Sequence, residues 1–186
     1  MKQFATDSKY DRYVLLDRDG VINVERGDYT MTIDEWQWAD GAFAGIQTLT
    51  KAGFGVIVIT NQACIHKGRQ SHEGLDTLHR FMIDEVSAQG GDIVAVYYCP
   101  HWTPDNCSCR KPKPGLLIEA AQDYGIELAE TYFIGDAARD VEAGKLAGAR
   151  TILLAGTKAS ENAGEIDADK ITNSLAEAVE FVIAKG

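Results

Sequence analysis

Apolar residues fall along this chain in two alternating rhythms. Short unbroken runs at 13–16, 55–59, 93–98, 131–134 and 151–154, each followed by polar residues or glycine, read as buried strands. Between them the spacing changes to that of helices. Residues 42–51 are closed by Gly53, 75–88 by Gly90 and Gly91, and 141–146 by Gly148, while 115–124 are opened by Pro114 and 175–184 by Ser174 as N-cap. This alternation predicts βαβ units, hence an α/β, Rossmann-like domain whose mainly parallel sheet is covered on both faces.

In such a sheet ligands are met at the carboxyl ends of the strands. The residues there are Asp17 and Asp19 after the first run, Thr60 and Asn61 after the second, Cys99 and His101 after the third, and Asp136 after the fourth. Polar groups therefore converge on one edge.

Composition narrows the function class. At 186 residues, with 45% hydrophobic and 25% charged residues, the chain reads as one globular domain spanning 1–186. No apolar run approaches the roughly 18 residues of a membrane helix, and no secretory h-region precedes Tyr10, so the expectation is a cytoplasmic protein with no membrane partner. The formal net charge of −10 repels nucleic acid, so an anionic ligand needs a local basic cluster. The sequence leaves the oligomeric state open.

Asp17-Arg18-Asp19-Gly20 sets two carboxylates in one tight turn, where one can attack and the other can move protons. Read alone, these residues equally suit a strand-end turn. Asp136 with Asp17 suits Mg²⁺, which takes one or two carboxylates with water and phosphate oxygens, while Asp140 reads as a cap of the following helix. Thr60-Asn61-Gln62 and the cations Arg110, Lys111 and Lys113, just ahead of a helix N-terminus, can cradle a phosphoryl group. His66, Lys67 and Arg69 add charge to the loop after the second strand, and His72 and His79 read as ordinary helix residues.

Cys99, His101, Cys107 and Cys109 put three thiolates and an imidazole within 11 residues, a closed tetrahedral set for structural Zn²⁺. A disulfide would leave His101 unexplained and conflict with a reducing compartment. Cys64 stands apart as a free thiol.

Asp-x-Asp-Gly, Thr-Asn, the lysine before a helix and Gly-Asp-x-x-x-Asp, in this order from Tyr13 to Asp140, resemble the four motifs of the haloacid dehalogenase superfamily. The cysteine and histidine cluster followed by Arg-Lys-Pro resembles the zinc-loop branch, which acts on heptose bisphosphates or histidinol phosphate. Residues 33–41, Gly27 and 110–115 are similar to the heptose group. Two places depart from its pattern: Ala63-Cys64 replaces Ser-Gly, and Ala137 replaces a lysine.

The resemblance implies a Mg²⁺-dependent phosphatase acting on a small sugar phosphate, with the 7-phosphate of D-glycero-D-manno-heptose 1,7-bisphosphate as the expected target. Histidinol phosphate is the alternative substrate. Asp17 would form an aspartyl-phosphate and Asp19 would act as acid and base. Mg²⁺ would be held by Asp17, the backbone carbonyl of Asp19 and Asp136. Thr60, Asn61 and Lys111 would stabilise the phosphoryl oxygens, and Glu25, Arg26, Gly27, Asp28, Gln62 and Arg110 would face the sugar or its second phosphate. Another acceptor would make the same chemistry a phosphotransferase or mutase. A different class, a non-catalytic zinc-stapled binding module, has no need of the intact set Asp17, Asp19, Thr60, Lys111 and Asp136. The intervals from Asp17 to Thr60 and on to Lys111 leave no room for a separate cap domain, so the crevice should be open.

Overall fold

A computed structural model of the protein describes residues 1–4, 10–155 and 166–185. Seven strands form one sheet: β1 Lys2–Gln3, β2 Arg12–Leu16, β3 Phe54–Asn61, β4 Ile93–Cys99, β5 Tyr132–Gly135, β6 Arg150–Leu154 and β7 Lys170–Thr172. Their order is β1-β4-β3-β2-β5-β6-β7, parallel throughout except where β1 lies antiparallel against β4. The chain thus lays β2, β3 and β4 outward in one direction, then crosses back to place β5 on the other side of β2. That reversal opens a crevice beyond the carboxyl end of β2.

Alternation along the strands loads both faces. Val14, Leu16, Val58, Ile134 and Ile152 point to one side, where α1 (Ala42–Lys51), α2 (His72–Ala88) and α5 (Leu175–Lys185) cover them with Ile46, Leu49, Met82 and Val179. Leu15, Ile57, Ile59, Tyr97 and Phe133 point to the other, under α3 (Gly115–Tyr124) and α4 (Ala138–Ala147) with Leu116, Leu117, Ala120 and Ala143. Because both faces are covered, the strands read as continuous apolar runs rather than as half-polar ones.

The sequence reading places α1 and α3 at their observed bounds and starts α2 and α4 three residues late. The first turn of α2 is His72-Glu73-Gly74, polar residues with no apolar period, and its start is marked by Ser71, whose hydroxyl accepts from the Gly74 amide at 2.9 Å. The edge strands β1 and β7, with two and three residues, are too short to carry a pattern. Among the described residues no helix is long and apolar enough to cross a membrane.

Between β2 and β3 lie only an irregular loop with one 3₁₀ turn, Ile33–Glu35, and α1. Trp36, Trp38, Phe43 and Phe81 pack together across this loop, Trp36 edge-on to Trp38 and Phe81 and the other pairs tilted, with ring centroids 4.1–6.2 Å apart, and fasten it over α1 and α2.

Candidate active site

β2 delivers Asp17 to the crevice floor, and the ladder to β5 continues through it: the Asp17 amide donates to the Ile134 carbonyl at 2.9 Å. The next residues then wrap the Arg18 carbonyl, which accepts from the amides of Val21, Ile22 and Asn23 at 2.8–3.3 Å. Gly20 permits this turn. Its φ is +83°, and a Cβ there would lie 2.0 Å from Asp136 Oδ2. Gly135 similarly admits Asp140, since its Cβ would meet the Asp140 Cβ at 2.3 Å.

Asp17 Oδ1 accepts from the Arg18 amide at 2.7 Å, and Oδ2 pairs with Lys111 Nζ at 2.8 Å. Lys111 is fully withdrawn from solvent; its ammonium also donates to the Ile59 carbonyl at 2.9 Å and pairs with Asp140 Oδ1 at 2.7 Å. The other oxygen of Asp140 accepts from the Ala137 amide at 3.0 Å, capping α4. Asp140 is therefore both the cap expected from sequence and part of the charged centre.

Carboxylate oxygens of Asp17, Asp136 and Asp140 lie within 4.8 Å of one another. Burial pushes the Asp17 carboxyl up to about 8; Lys111 opposes the shift, while Asp140 and Asp136 add to it. Lys111 is raised as well, which for an amine favours the charged form. Burial pulls its ammonium down, but Asp140 and Asp17 outweigh that and raise it. Three carboxylates crowd one buried ammonium, and a divalent cation among them would favour their ionised forms, so the oxygen donor set fits a hard cation.

Asp19 stands beside this centre. Oδ1 accepts from Arg18 Nη2 at 2.8 Å, Arg18 Nε at 3.3 Å and Asn23 Nδ2 at 2.9 Å, and Oδ2 accepts from Gln62 Nε2 at 2.9 Å. Burial would raise its carboxyl, but the Arg18 guanidinium and these hydrogen bonds hold it below the usual carboxylate range.

Above the floor lies a crevice of about 390 Å³, the size of a site for a small metabolite. Of the residues singled out from sequence, Asp17, Asp19, Glu25, Gly27, Asp28, Thr60, Asn61 and Arg110 line it, with Lys67 and Arg69 at its side. Lys111 and Asp136 lie just beneath. Two residues expected to face the sugar do not line the crevice. Gln62 is fully buried and donates to Asp19 and to Thr60 Oγ1. Arg26 turns away, its Nη1 donating to the Glu35 carbonyl at 2.9 Å.

Arg69 is also engaged, forking onto both oxygens of Asp28 at 2.6 and 2.8 Å, with Tyr29 beneath its guanidinium. Arg139 was not singled out from sequence. It lines the crevice from the first turn of α4, and among the described residues its guanidinium makes no hydrogen bond or ion pair. Burial works against its charge, but Asp140, Asp17, Asp136 and Glu25 outweigh this and keep it cationic. Arg110 and Arg139 also border an adjoining hollow lined by Trp102, Pro112 and Lys113.

At the end of β4 the four zinc candidates meet. Cys99 Sγ is 3.7 Å from Cys107 Sγ and 3.3 Å from Cys109 Sγ, the latter two are 3.5 Å apart, and His101 Nδ1 is 3.7 Å from Cys99 and 3.3 Å from Cys109. All four cysteines are free thiols. A tetrahedron with Zn–S bonds of about 2.3 Å has edges of roughly 3.8 Å, so the set fits zinc with little adjustment. Lys111 follows its last ligand by two residues.

The Hydrolase_like family model, described as HAD-hydrolase-like, matches residues 108–178. The D-glycero-beta-D-manno-heptose-1,7-bisphosphate 7-phosphatase of Pseudomonas aeruginosa is 39% identical over 76% of this chain and 79% of its own length. That of Yersinia pestis is 35% identical over 92% and 95%. The crystal structure of D,D-heptose 1,7-bisphosphate phosphatase from B. bronchiseptica, complexed with magnesium and phosphate, superposes with a TM-score of 0.89 at 29% identity, covering 94% of this chain and 99% of that one. With relatives 35–39% identical over three quarters or more of its length, the chain belongs to the haloacid dehalogenase-like hydrolases, in the family of these heptose-bisphosphate 7-phosphatases.

Proposed function

We propose that this protein is a Mg²⁺-dependent phosphatase that removes the 7-phosphate of D-glycero-D-manno-heptose 1,7-bisphosphate through an aspartyl-phosphate on Asp17, with 1–186 acting as one domain in the cytoplasm. The observation that carries this reading is the floor itself: Asp17 is pinned by the Arg18 amide and Lys111, beside two further carboxylates, below a crevice whose far wall presents Arg110 and Arg139.

Asp17, as the carboxylate, attacks phosphorus as the sugar oxygen leaves, and Asp19, which enters this step in its less populated protonated form, gives its proton to that oxygen. Asp19 then takes a proton from the water that attacks the aspartyl-phosphate, which frees Asp17 and inorganic phosphate. Lys111 and the Thr60 hydroxyl hold the equatorial oxygens, and Asn61 holds Lys111. Mg²⁺, held by Asp17, Asp136 and the Asp19 backbone carbonyl with Asp140 close by, supplies neutralising charge for the phosphoryl group. The magnesium and phosphate in the B. bronchiseptica enzyme support this assignment.

Arg110, Lys67 and the unengaged Arg139 are the groups to meet the second phosphate. Arg139 stands two residues from Ala137, the position where the family's lysine is missing, and so returns a cation to that wall. Zn²⁺ at Cys99, His101, Cys107 and Cys109 has a structural part, fixing the loop that sets Arg110 and Lys111. The proposal is tested by phosphate release from the heptose bisphosphate with Mg²⁺. Turnover is expected in the native protein and none in Asp17→Asn; release by Asp17→Asn within tenfold of native would refute the covalent route.

A further inference from the structure

The hold on Asp19 begins at the edge of the sheet. Gln3, on β1, has its Oε1 2.7 Å from Nδ1 of His79, in the middle of α2. Nε2 of the same ring lies 3.1 Å from Nη1 of Arg18, and Arg18 in turn forks onto Asp19 Oδ1. His79 and Arg18 are both wholly buried, with the Trp36 ring 5.7 Å from the guanidinium and the Tyr98 ring against the imidazole.

The chemistry of this chain allows one proton arrangement. A guanidinium has no acceptor, so Nε2 of His79 must accept from Arg18, the ring proton must sit on Nδ1, and Gln3 Oε1 receives it. Burial and the adjacent Arg18 charge push the imidazole well below its ordinary value, so it is a neutral acceptor. The acceptor fixes the plane of the guanidinium; without it a buried N–H would lack a partner and the fork would re-aim.

The two oxygens of Asp19 are thereby made unequal. Oδ1 takes three donors, two from Arg18 and one from Asn23, which saturates its lone pairs. Oδ2 takes only Gln62, in a side chain that is 20% exposed to the crevice. We propose that His79 is a positioning residue for proton transfer: by accepting from Arg18 it fixes the fork on Oδ1 and leaves Oδ2 as the oxygen that gives and takes the proton. As the sugar O–P bond breaks, the Oδ2 proton passes to the sugar oxygen. In the return step Oδ2 receives a proton from the attacking water as the Asp17–phosphate bond breaks.

This inference rests on the acid–base reading of Asp19, and leaving-group dependence separates the two. A sugar phosphate needs its leaving oxygen protonated, whereas 4-nitrophenyl phosphate does not. For His79→Leu, kcat on the heptose bisphosphate is expected to fall about tenfold or more beyond any fall on 4-nitrophenyl phosphate, with KM within about threefold. His79→Gln, which restores an acceptor, should recover most of that difference, and Gln3→Leu should show it in weaker form. Equal losses on both substrates, or none on either, would overturn the role of His79. Should His79→Leu fail to fold, the comparison of native protein with Gln3→Leu decides, an unchanged ratio of the two rates overturning the proposal. Asp19→Asn is the control: if it too lacks the leaving-group effect the acid–base reading fails, and if it shows the effect while His79→Leu does not, only the present inference fails.

Discussion

Asn61 and Lys111, fifty residues apart in sequence, are joined by both ends of one side-chain amide: Nδ2 donates to the Lys111 carbonyl and Oδ1 accepts from the Lys111 amide, each at 3.1 Å. The tip of β3 thus fixes the backbone from which Lys111 reaches inward to Asp17, Asp140 and the Ile59 carbonyl. The Asn61 side chain, expected from sequence to touch phosphate, instead holds the Lys111 backbone.

Replacement of Asn61 by alanine removes both bonds and leaves two backbone groups without their partner. The expected result is a loss of about 1–3 kcal/mol in denaturant unfolding and a kcat lowered by about 10²-fold, since misplacement of a charged group by 1 Å has that effect. An unchanged kcat in Asn61→Ala would show that Lys111 is held by its ion pairs alone.

Asp140 carries two duties that one substitution separates. In Asp140→Asn the amide oxygen still caps the Ala137 N–H, but the NH2 takes the place of the oxygen paired with buried Lys111, so stability should fall. The charge beside Asp17 and Lys111 is lost, and the Mg²⁺ concentration for half-maximal activity should rise at least about tenfold. Calorimetry with a Mg²⁺ titration reads both; an unaltered Mg²⁺ demand would exclude Asp140 from the cation site and leave it the partner of Lys111 and the cap of α4.

Arg139 has a guanidinium with no bonded partner among the described residues, so Arg139→Ala should leave the fold intact. The KM for the bisphosphate is expected to rise about tenfold or more, with a much smaller change for a sugar monophosphate, because the lost contact is to the second phosphate. Equal effects on the two substrates would remove Arg139 from the distal subsite.

The four-ligand cluster should carry about one zinc per chain with no vacant coordination position. Metal analysis of the purified protein checks the stoichiometry. Cys99→Ser is expected to lower zinc content and to raise KM, because Arg110 and Lys111 follow the last ligand directly. Full substrate affinity in a zinc-free Cys99→Ser protein would separate the loop from the site.

What the sequence disclosed depended on how locally each feature is determined. Strands β2 to β6 are legible because both faces of the sheet are covered, and α1 and α3 because glycine or proline stands beside their termini. Lys2–Gln3 offers no such signal, yet it positions the glutamine that meets His79. Asp17, Asp19, Thr60, Lys111 and Asp136 were visible as polar residues at strand ends or ahead of a helix. Side-chain direction was not. Gln62 and Arg26 follow from the packing of the 17–41 loop, and His79 finds Arg18 across 61 positions, a pairing that no spacing rule along α2 reports. Arg139 lay hidden beside Asp140, because the exposed start of α4, Ala138 and Arg139, carries no apolar period.

An uncapped crevice, with Asp17 on its floor and Arg110 and Arg139 on its wall, is expected to select an extended bisphosphate. The most direct test compares kcat/KM for D-glycero-D-manno-heptose 1,7-bisphosphate and histidinol phosphate under the same Mg²⁺ concentration. The account predicts a preference for the bisphosphate of at least about tenfold, since bidentate arginine contacts to a second phosphate are open to that substrate alone. Equal values, or a preference for histidinol phosphate, would contradict it.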